Sequence, residues 1–217
     1  LLPIVGLVGS NNLSTAIIIL GIGVILIFAA SPRYIQFATL GGAGIGFIVI
    51  FLAAESYRLE RLAIWREPEK YEKGFQTIQG LYAIGSGGLF GRGIGNSIQK
   101  LGFVPEAQND MIFSIICEEM GLTGAIILIL IFALLLWRLC VISMNCQELS
   151  GAMIAAGIMG HLAIQVILNI AVVTNTIPNT GITLPFISYG GTSIVFLLGE
   201  MGLALNVSRQ KNNPPTR

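Results

Sequence analysis

Three carboxylates head an otherwise apolar run: Asp110, Glu118 and Glu119, in PEAQNDMIFSIICEEMG, residues 105–121. Carboxylates are expensive in hydrocarbon, so a chain that keeps them there uses them on ions, protons or polar substrates, or to join helices. Asp110 follows a loop and starts a helix. As a cap, it or Asn109 would satisfy helix-terminal amides. As a reagent at the membrane surface, it would act as a general base or hold a divalent cation. No second carboxylate stands at a fixed metal spacing, which argues against a protein-only metal cage. Glu118 and Glu119 lie about 12 Å further along a helix axis, and adjacent residues point about 100° apart, so at most one shares Asp110's side. Interhelical hydrogen bonding is the simplest role for them.

Other polar groups recur at telling spacings. His161, the one histidine, forms a stripe with Gln165 and Asn169 at i, i+4 and i+8, which reads as packing glue or as a cavity wall; Glu200 in the last span reads the same way. The glycine-rich GSGGLFGRGIGNS, residues 85–97, contains neither GxxxxGK(S/T) nor GxGxxG, which excludes a nucleotide loop. Its glycines permit tight turns and close backbone approach, and its amides suit an anionic head group. Arg92 and Lys100 flank that run as neutralisers of a pyrophosphate or as solvated loop charges. Residues 175–193, NTIPNTGITLPFISYGGTS, hold two prolines, several glycines and hydroxyls, with Ser188 and Tyr189 as candidate structural or cavity residues. Backbone this irregular at membrane depth needs protein or a cavity around it, so it walls a site or starts a helix.

The elements that must carry these groups are membrane helices. Of 217 residues, 54% are hydrophobic and 11% charged, and the mean hydropathy is +0.81, too apolar for an ordinary soluble domain. The fold class is all-α: a polytopic helix bundle with about five full spans, at residues 13–30, 36–54, 110–136, 150–173 and 186–206, and a partial N-terminal helix at 1–9. Alternating ten-residue segments, the mark of a membrane barrel, are absent from the sequence. Residues 1–217 read as a single transmembrane domain. The three cysteines, Cys117, Cys140 and Cys146, have no zinc or disulfide spacing. A formal charge of +1 gives no case for a nucleic-acid partner. The chain opens on LLPIVGLV, which reads as the end of a helix rather than a signal peptide, so further chain before it is expected.

Residues 55–109 form one large loop holding seven of the twelve basic residues and six of the eleven acids. A loop of this length is usually functional. Inside it Phe75, Ile78, Leu81 and Tyr82 fall near helical spacing beside Lys73, Gln76 and Gln79, which predicts a short helix lying at the membrane surface or packed over the bundle. Arg33, Arg138, Arg209, Lys211 and Arg217 fall on one side, and the short connectors of the other side carry no Lys or Arg. That bias puts the C-terminus in the cytoplasm, while the loop's own basic residues vote the other way.

Two stretches together, residues 99–121 (QKLGFVPEAQNDMIFSIICEEMG) and 177–193 (IPNTGITLPFISYGGTS), resemble the SEDS family of shape, elongation, division and sporulation proteins, and LNVSR at 205–209 fits as well. The resemblance covers essentially the whole chain and corresponds to the C-terminal half of a family of about ten spans; NSIQK at 96–100 is closer to the FtsW and SpoVE branch than to RodA. It implies a peptidoglycan glycosyltransferase that polymerises lipid II into a growing lipid-linked glycan. Such an enzyme works at the outer face of the bacterial cytoplasmic membrane, among membrane lipids, with a divalent cation (Mg²⁺ or Mn²⁺) and a class B penicillin-binding protein. The family's essential aspartate falls on Asp110, and Lys100, Pro105 and Glu106 match its loop pattern, so Arg92, Lys100 and Glu106 become candidate substrate contacts. In that frame the large loop is extracytoplasmic. The sequence departs from the family at Asn109 and Met111, where Thr and Phe are usual, and at Asn12 in NNLST, where an Asp is usual. Two other readings use the same residues: a transporter of lipid-linked precursors with Glu118, Glu119, His161 and Glu200 along its path, and a truncated scaffold that recruits a penicillin-binding protein.

Overall fold

The computed structural model describes residues 1–30, 35, 38, 39, 41, 42, 44, 46 and 56–210. Among these, the regular elements are helices: α1 (Leu2–Asn11), α2 (Leu13–Ala30), α3 (Ser56–Arg66), α4 (Phe75–Gly87), α5 (Ile112–Asn145), α6 (Leu149–Val173) and α7 (Gly191–Gln210), with single 3-10 turns at Pro68–Lys70 and Glu72–Gly74. The protein is a multi-pass membrane protein; α2, α5, α6 and α7 are long and apolar enough to cross a bilayer. Most of the span expected at 36–54 lies outside the described residues; those of it that are described, 38, 39, 41, 42, 44 and 46, are helical.

Expected boundaries move: the third span, expected at 110–136, is Ile112–Asn145. The last span starts at Gly191 rather than 186, because Pro185 and the left-handed Phe186 (φ 64°) keep residues 184–190 irregular. The loop at 55–109 is not bare coil: it contains α3, both 3-10 turns and α4. As expected, 75–82 is helical, but α4 buries a row of small residues, Thr77, Gly80, Ala83 and Gly87, and turns Phe75, Leu81 and Tyr82 outward. Small residues at this spacing let backbones approach closely.

The chain divides into two compact units. One comprises Leu1–Phe51, Ala133–Ile164 and Gly191–Arg217. In it, Asn12 at the family's usual Asp position accepts the Thr15 amide at 3.1 Å, the bond a helix cap makes. Gly160 and Gly157 of α6 lie against Ile25 and Leu26 of α2, and Gly151 against Val207 of α7. His161 Nδ1 is 2.9 Å from a Glu200 oxygen, so these two residues join α6 to α7, as the glue reading expects.

The other unit comprises Leu52–Phe132 and Gln165–Gly190. Its core is a cluster of Met111, Phe113, Ile115, Cys117, Phe132, Val166 and Leu184. Here α5 breaks: Gly121 has φ 66° and ψ −165°. The break frees two carbonyls and two amides, which must find partners at membrane depth. The glycine-rich loop supplies all four. Arg92 N donates to Glu118 O at 3.0 Å and Gly93 N to Glu119 O at 2.9 Å, while Leu122 N and Thr123 N donate to Gly88 O at 2.9 Å and Leu89 O at 3.1 Å. A Cβ on Gly121 would lie 2.4 Å from Gly91 N, and one on Gly91 2.1 Å from Glu119 O. Close backbone approach therefore requires glycine at both positions, and the approach serves a helix of this same chain.

Candidate functional site

Asp110 sits two residues before α5, 7% exposed. Three consecutive peptides around it are held from outside the loop. Tyr189 N donates to Gln108 O at 2.8 Å. Ser188 Oγ donates to Asn109 O at 2.7 Å while accepting the Leu184 amide at 2.7 Å. The fully buried Asn169 donates its amide to both Asp110 O and Ile182 O at 2.8 Å. A side chain whose backbone is fixed on this scale is preorganised, the condition for placing a reacting group well.

The carboxylate itself accepts Gln76 Nε2 at 3.3 and 3.4 Å. Burial lifts its pKa above the ordinary 3.8; the carboxylate's own backbone amide opposes this, the neighbouring Glu106 charge adds to it, and the Gln76 and Met111 amides oppose it. The hydrogen bonds to its own and the next amide give the cap reading some substance, but Asp110 also opens onto a cavity of about 290 Å³, lined by Glu60, Arg61, Trp65, Lys73 and Thr180 among others. The cavity's far wall is fastened by α3: Arg61 Nη1 donates to Asn179 O at 3.0 Å, and Trp65 Nε1 to Asn175 O at 3.0 Å. Lys73 Nζ is 3.0 Å from Glu60 Oε1. Among the described residues, the polar recess is lined by two carboxylates, Asp110 and Glu60, and two cations, Arg61 and Lys73.

The other expected site residues divide into three groups. Glu106, left-handed at φ 55°, accepts the side chain of Asn109 and so stays beside Asp110. Ser188 and Tyr189 act through the Asn109 and Gln108 carbonyls just described, although the Tyr189 side chain is 77% exposed. Glu118, Glu119, Arg92 and Lys100 form a separate cluster. Glu118 is fully buried and accepts Ser97 Oγ at 2.5 Å, Ile98 N at 3.2 Å and Gln99 N at 3.3 Å. Arg92 stands 3.6 Å from it. Lys100 is 2.7 Å from Glu119. These glutamates therefore bind the glycine-rich loop and the residues just after it, 92–100, rather than a second helix. Arg92 and Lys100 are ion-paired loop cations, and neither lines the Asp110 cavity.

Sequence reasoning missed Glu60, Arg61, Trp65, Lys73, Gln76 and Thr180. Arg61 and Trp65 stand at i and i+4 on one helix face, the only local hint of a shared target.

A family model described as cell cycle protein, covering FtsW, RodA and SpoVE, matches residues 1–213. The chain belongs to the FtsW/RodA/SpoVE family. Within this SEDS family it is 45% identical over 91% of its length to stage V sporulation protein E of Bacillus subtilis, covering 55% of that protein. It is 39% identical, again over 91%, to the probable peptidoglycan glycosyltransferase FtsW of Trichlorobacter lovleyi, covering 52% of it. Among solved structures, one chain of a peptidoglycan synthase complex that coordinates polymerization and crosslinking superposes with a TM-score of 0.75 at 28% identity, over 97% of this chain and 60% of that one. The rod shape determining protein RodA of Thermus thermophilus superposes with a TM-score of 0.61 at 28% identity, over 98% and 55%. The chain spans about half the length of the curated relatives it matches.

Proposed function

We propose that this chain is the catalytic part of a peptidoglycan glycosyltransferase that polymerises lipid II, with Asp110 as its base. The observation that carries the reading is the combination at Asp110: a buried carboxylate raised in pKa, fixed through three neighbouring peptides, and open to a polar cavity. Names of relatives that include peptidoglycan glycosyltransferase support the reaction class. In the step proposed, the acceptor sugar's 4-hydroxyl gives its proton to the Asp110 carboxylate as its oxygen bonds to the donor's anomeric carbon. The bond from that carbon to the diphosphate oxygen breaks, and the prenyl diphosphate leaves with the electron pair. A base is most effective with a pKa lifted toward working pH, the direction of the shift at Asp110.

A divalent cation, Mg²⁺ or Mn²⁺, fits this residue set in one manner. No group of three His, Cys, Asp or Glu gathers among the described residues. In place of taking the proton, Asp110 would then hold the ion through its carboxylate, since a bound cation lowers a carboxylate's pKa. When bound, the ion supplies positive charge against the leaving diphosphate. The proposed setting is the bacterial cytoplasmic membrane, with the C-terminus cytoplasmic and residues 55–109 outside. Arg138 and Arg209 beside the short connectors support that orientation. A class B penicillin-binding protein is the proposed partner. A role in division or sporulation is favoured by the relatives named above. The transporter alternative draws less support, since Glu118 and Glu119 hold the loop and His161 is paired with Glu200.

The test is a gel ladder from labelled lipid II, with Mg²⁺ or Mn²⁺, comparing the full-length protein and its Asp110→Ala variant. A ladder that vanishes in the variant supports the polymerase. No ladder from the full-length protein together with its partner overturns it.

A further inference from the structure

The two cations that share a cavity with Asp110 are not those that flank the glycine-rich loop. Arg92 lies beside the buried Glu118 carboxylate, and drawing it away would leave that charge less compensated. Lys100 is 2.7 Å from Glu119. Arg61 and Lys73, by contrast, line the recess onto which Asp110 opens. Arg61 arrives from α3 and is oriented by the Asn179 carbonyl; its guanidinium brings a permanent charge of the planar kind that matches phosphate oxygens. Lys73 lies within the second 3-10 turn, three residues before Gln76, the Asp110 partner. The Lys73 and Glu60 side chains are 64% and 45% exposed, so their ion pair is solvent-screened and weak, the kind an incoming polyanion displaces at small cost. Among the described residues, two carboxylates, Glu60 and Asp110, and two cations, Arg61 and Lys73, line the recess. It therefore attracts an anion by local geometry and not by net field.

We propose that Arg61 and Lys73 form the subsite for the diphosphate of a lipid-linked substrate, and that Glu60 competes with that anion for Lys73. The assignment deepens the polymerase reading and rests on it for the identity of the substrate. It makes a prediction of sign that a general surface charge would not: removing the negative charge at Glu60 tightens binding, while removing either cation weakens it.

The experiment measures binding without turnover. The full-length protein in nanodiscs is titrated with geranylgeranyl diphosphate, and separately with inorganic pyrophosphate as the headgroup alone. Arg61→Gln and Lys73→Gln each raise the Kd for the prenyl diphosphate on the order of tenfold, Glu60→Gln lowers it, and Arg61→Lys recovers part of the loss. Thermal unfolding of each variant separates a lost site from a lost fold. Inorganic pyrophosphate follows the same order of variants with weaker binding throughout, because it lacks the prenyl chain. The proposal is overturned if folded Arg61→Gln and Lys73→Gln bind within twofold of the parent, if Arg92→Gln or Lys100→Gln causes the loss instead, or if Glu60→Gln weakens binding. Pyrophosphate binding as tight as the prenyl form would overturn the assignment to a lipid-linked ligand. A protein that binds in the predicted order yet makes no glycan keeps the subsite and loses the polymerase.

Discussion

At Asp110 the same burial that suits a base also costs stability. A carboxyl whose pKa rises on folding contributes most below its unfolded pKa and loses that contribution as pH climbs through the folded value. Asp110 therefore contributes less to stability above its folded pKa than below it, and Asp110→Asn should leave the Tm of the detergent-solubilised protein unchanged or higher while activity falls. Glu106 adds to the shift by repulsion. Glu106→Gln should move the acid limb of the polymerisation rate against pH to lower pH; a limb that stays in place would show the two carboxylates do not interact. A charge at the head of an apolar run singles out Asp110 in the sequence, but spacing left cap and base equally open, and the family resemblance alone favoured the base. Arg61 and Trp65 were not singled out, since their partners stand 118 and 110 residues away and no local pattern announces a pairing over that separation.

At the scale of elements, the break in α5 and the glycine-rich loop make one object. The loop's backbone closes the break, and Glu118 closes the loop. Glu118→Ala would leave Ser97 Oγ and the amides of Ile98 and Gln99 without their acceptor, each worth about 1–3 kcal/mol when buried; hydrogen exchange over residues 97–99 should accelerate sharply. Within α4, Gly85 and Gly87 make a paired test. A Cβ on Gly87 would sit 1.9 Å from Cys117 O, whereas one on Gly85 meets nothing within 4 Å. Gly87→Ala should destabilise the protein, and Gly85→Ala should be neutral or stabilising by up to about 1 kcal/mol, read by thermal unfolding. The glycine spacing announced a close approach, but its partner was hidden. Nothing in the apolar pattern of residues 112–145 marks Gly121 as a helix break, because its neighbours on both sides are helix formers.

For the whole molecule, the all-helical class was readable from hydropathy, because the bilayer requires long apolar helices and satisfies no open backbone. The interior of the 55–109 loop was less so: apolar spacing marked α4 but not the small face by which it packs, and nothing singled out α3. Orientation is open to a direct check. With the loop outside, a membrane-impermeant maleimide should label Phe90→Cys in intact cells, since Phe90 is 81% exposed. Native Cys146, in the connector between α5 and α6, should label only after permeabilisation. The opposite pattern would invert the topology and put Asp110 on the wrong side for an outer-face reaction.

The most direct measurement joins rate and stability in one sample: single-turnover polymerisation of labelled lipid II by the full-length protein and by Asp110→Asn, with thermal unfolding of both. Loss of a general base lowers the rate by about 10² to 10⁴, and the raised pKa leaves Tm unchanged or higher. An Asp110→Asn protein that polymerises within a few-fold of the parent, or one whose lost activity follows a lost fold, would contradict Asp110 as the base.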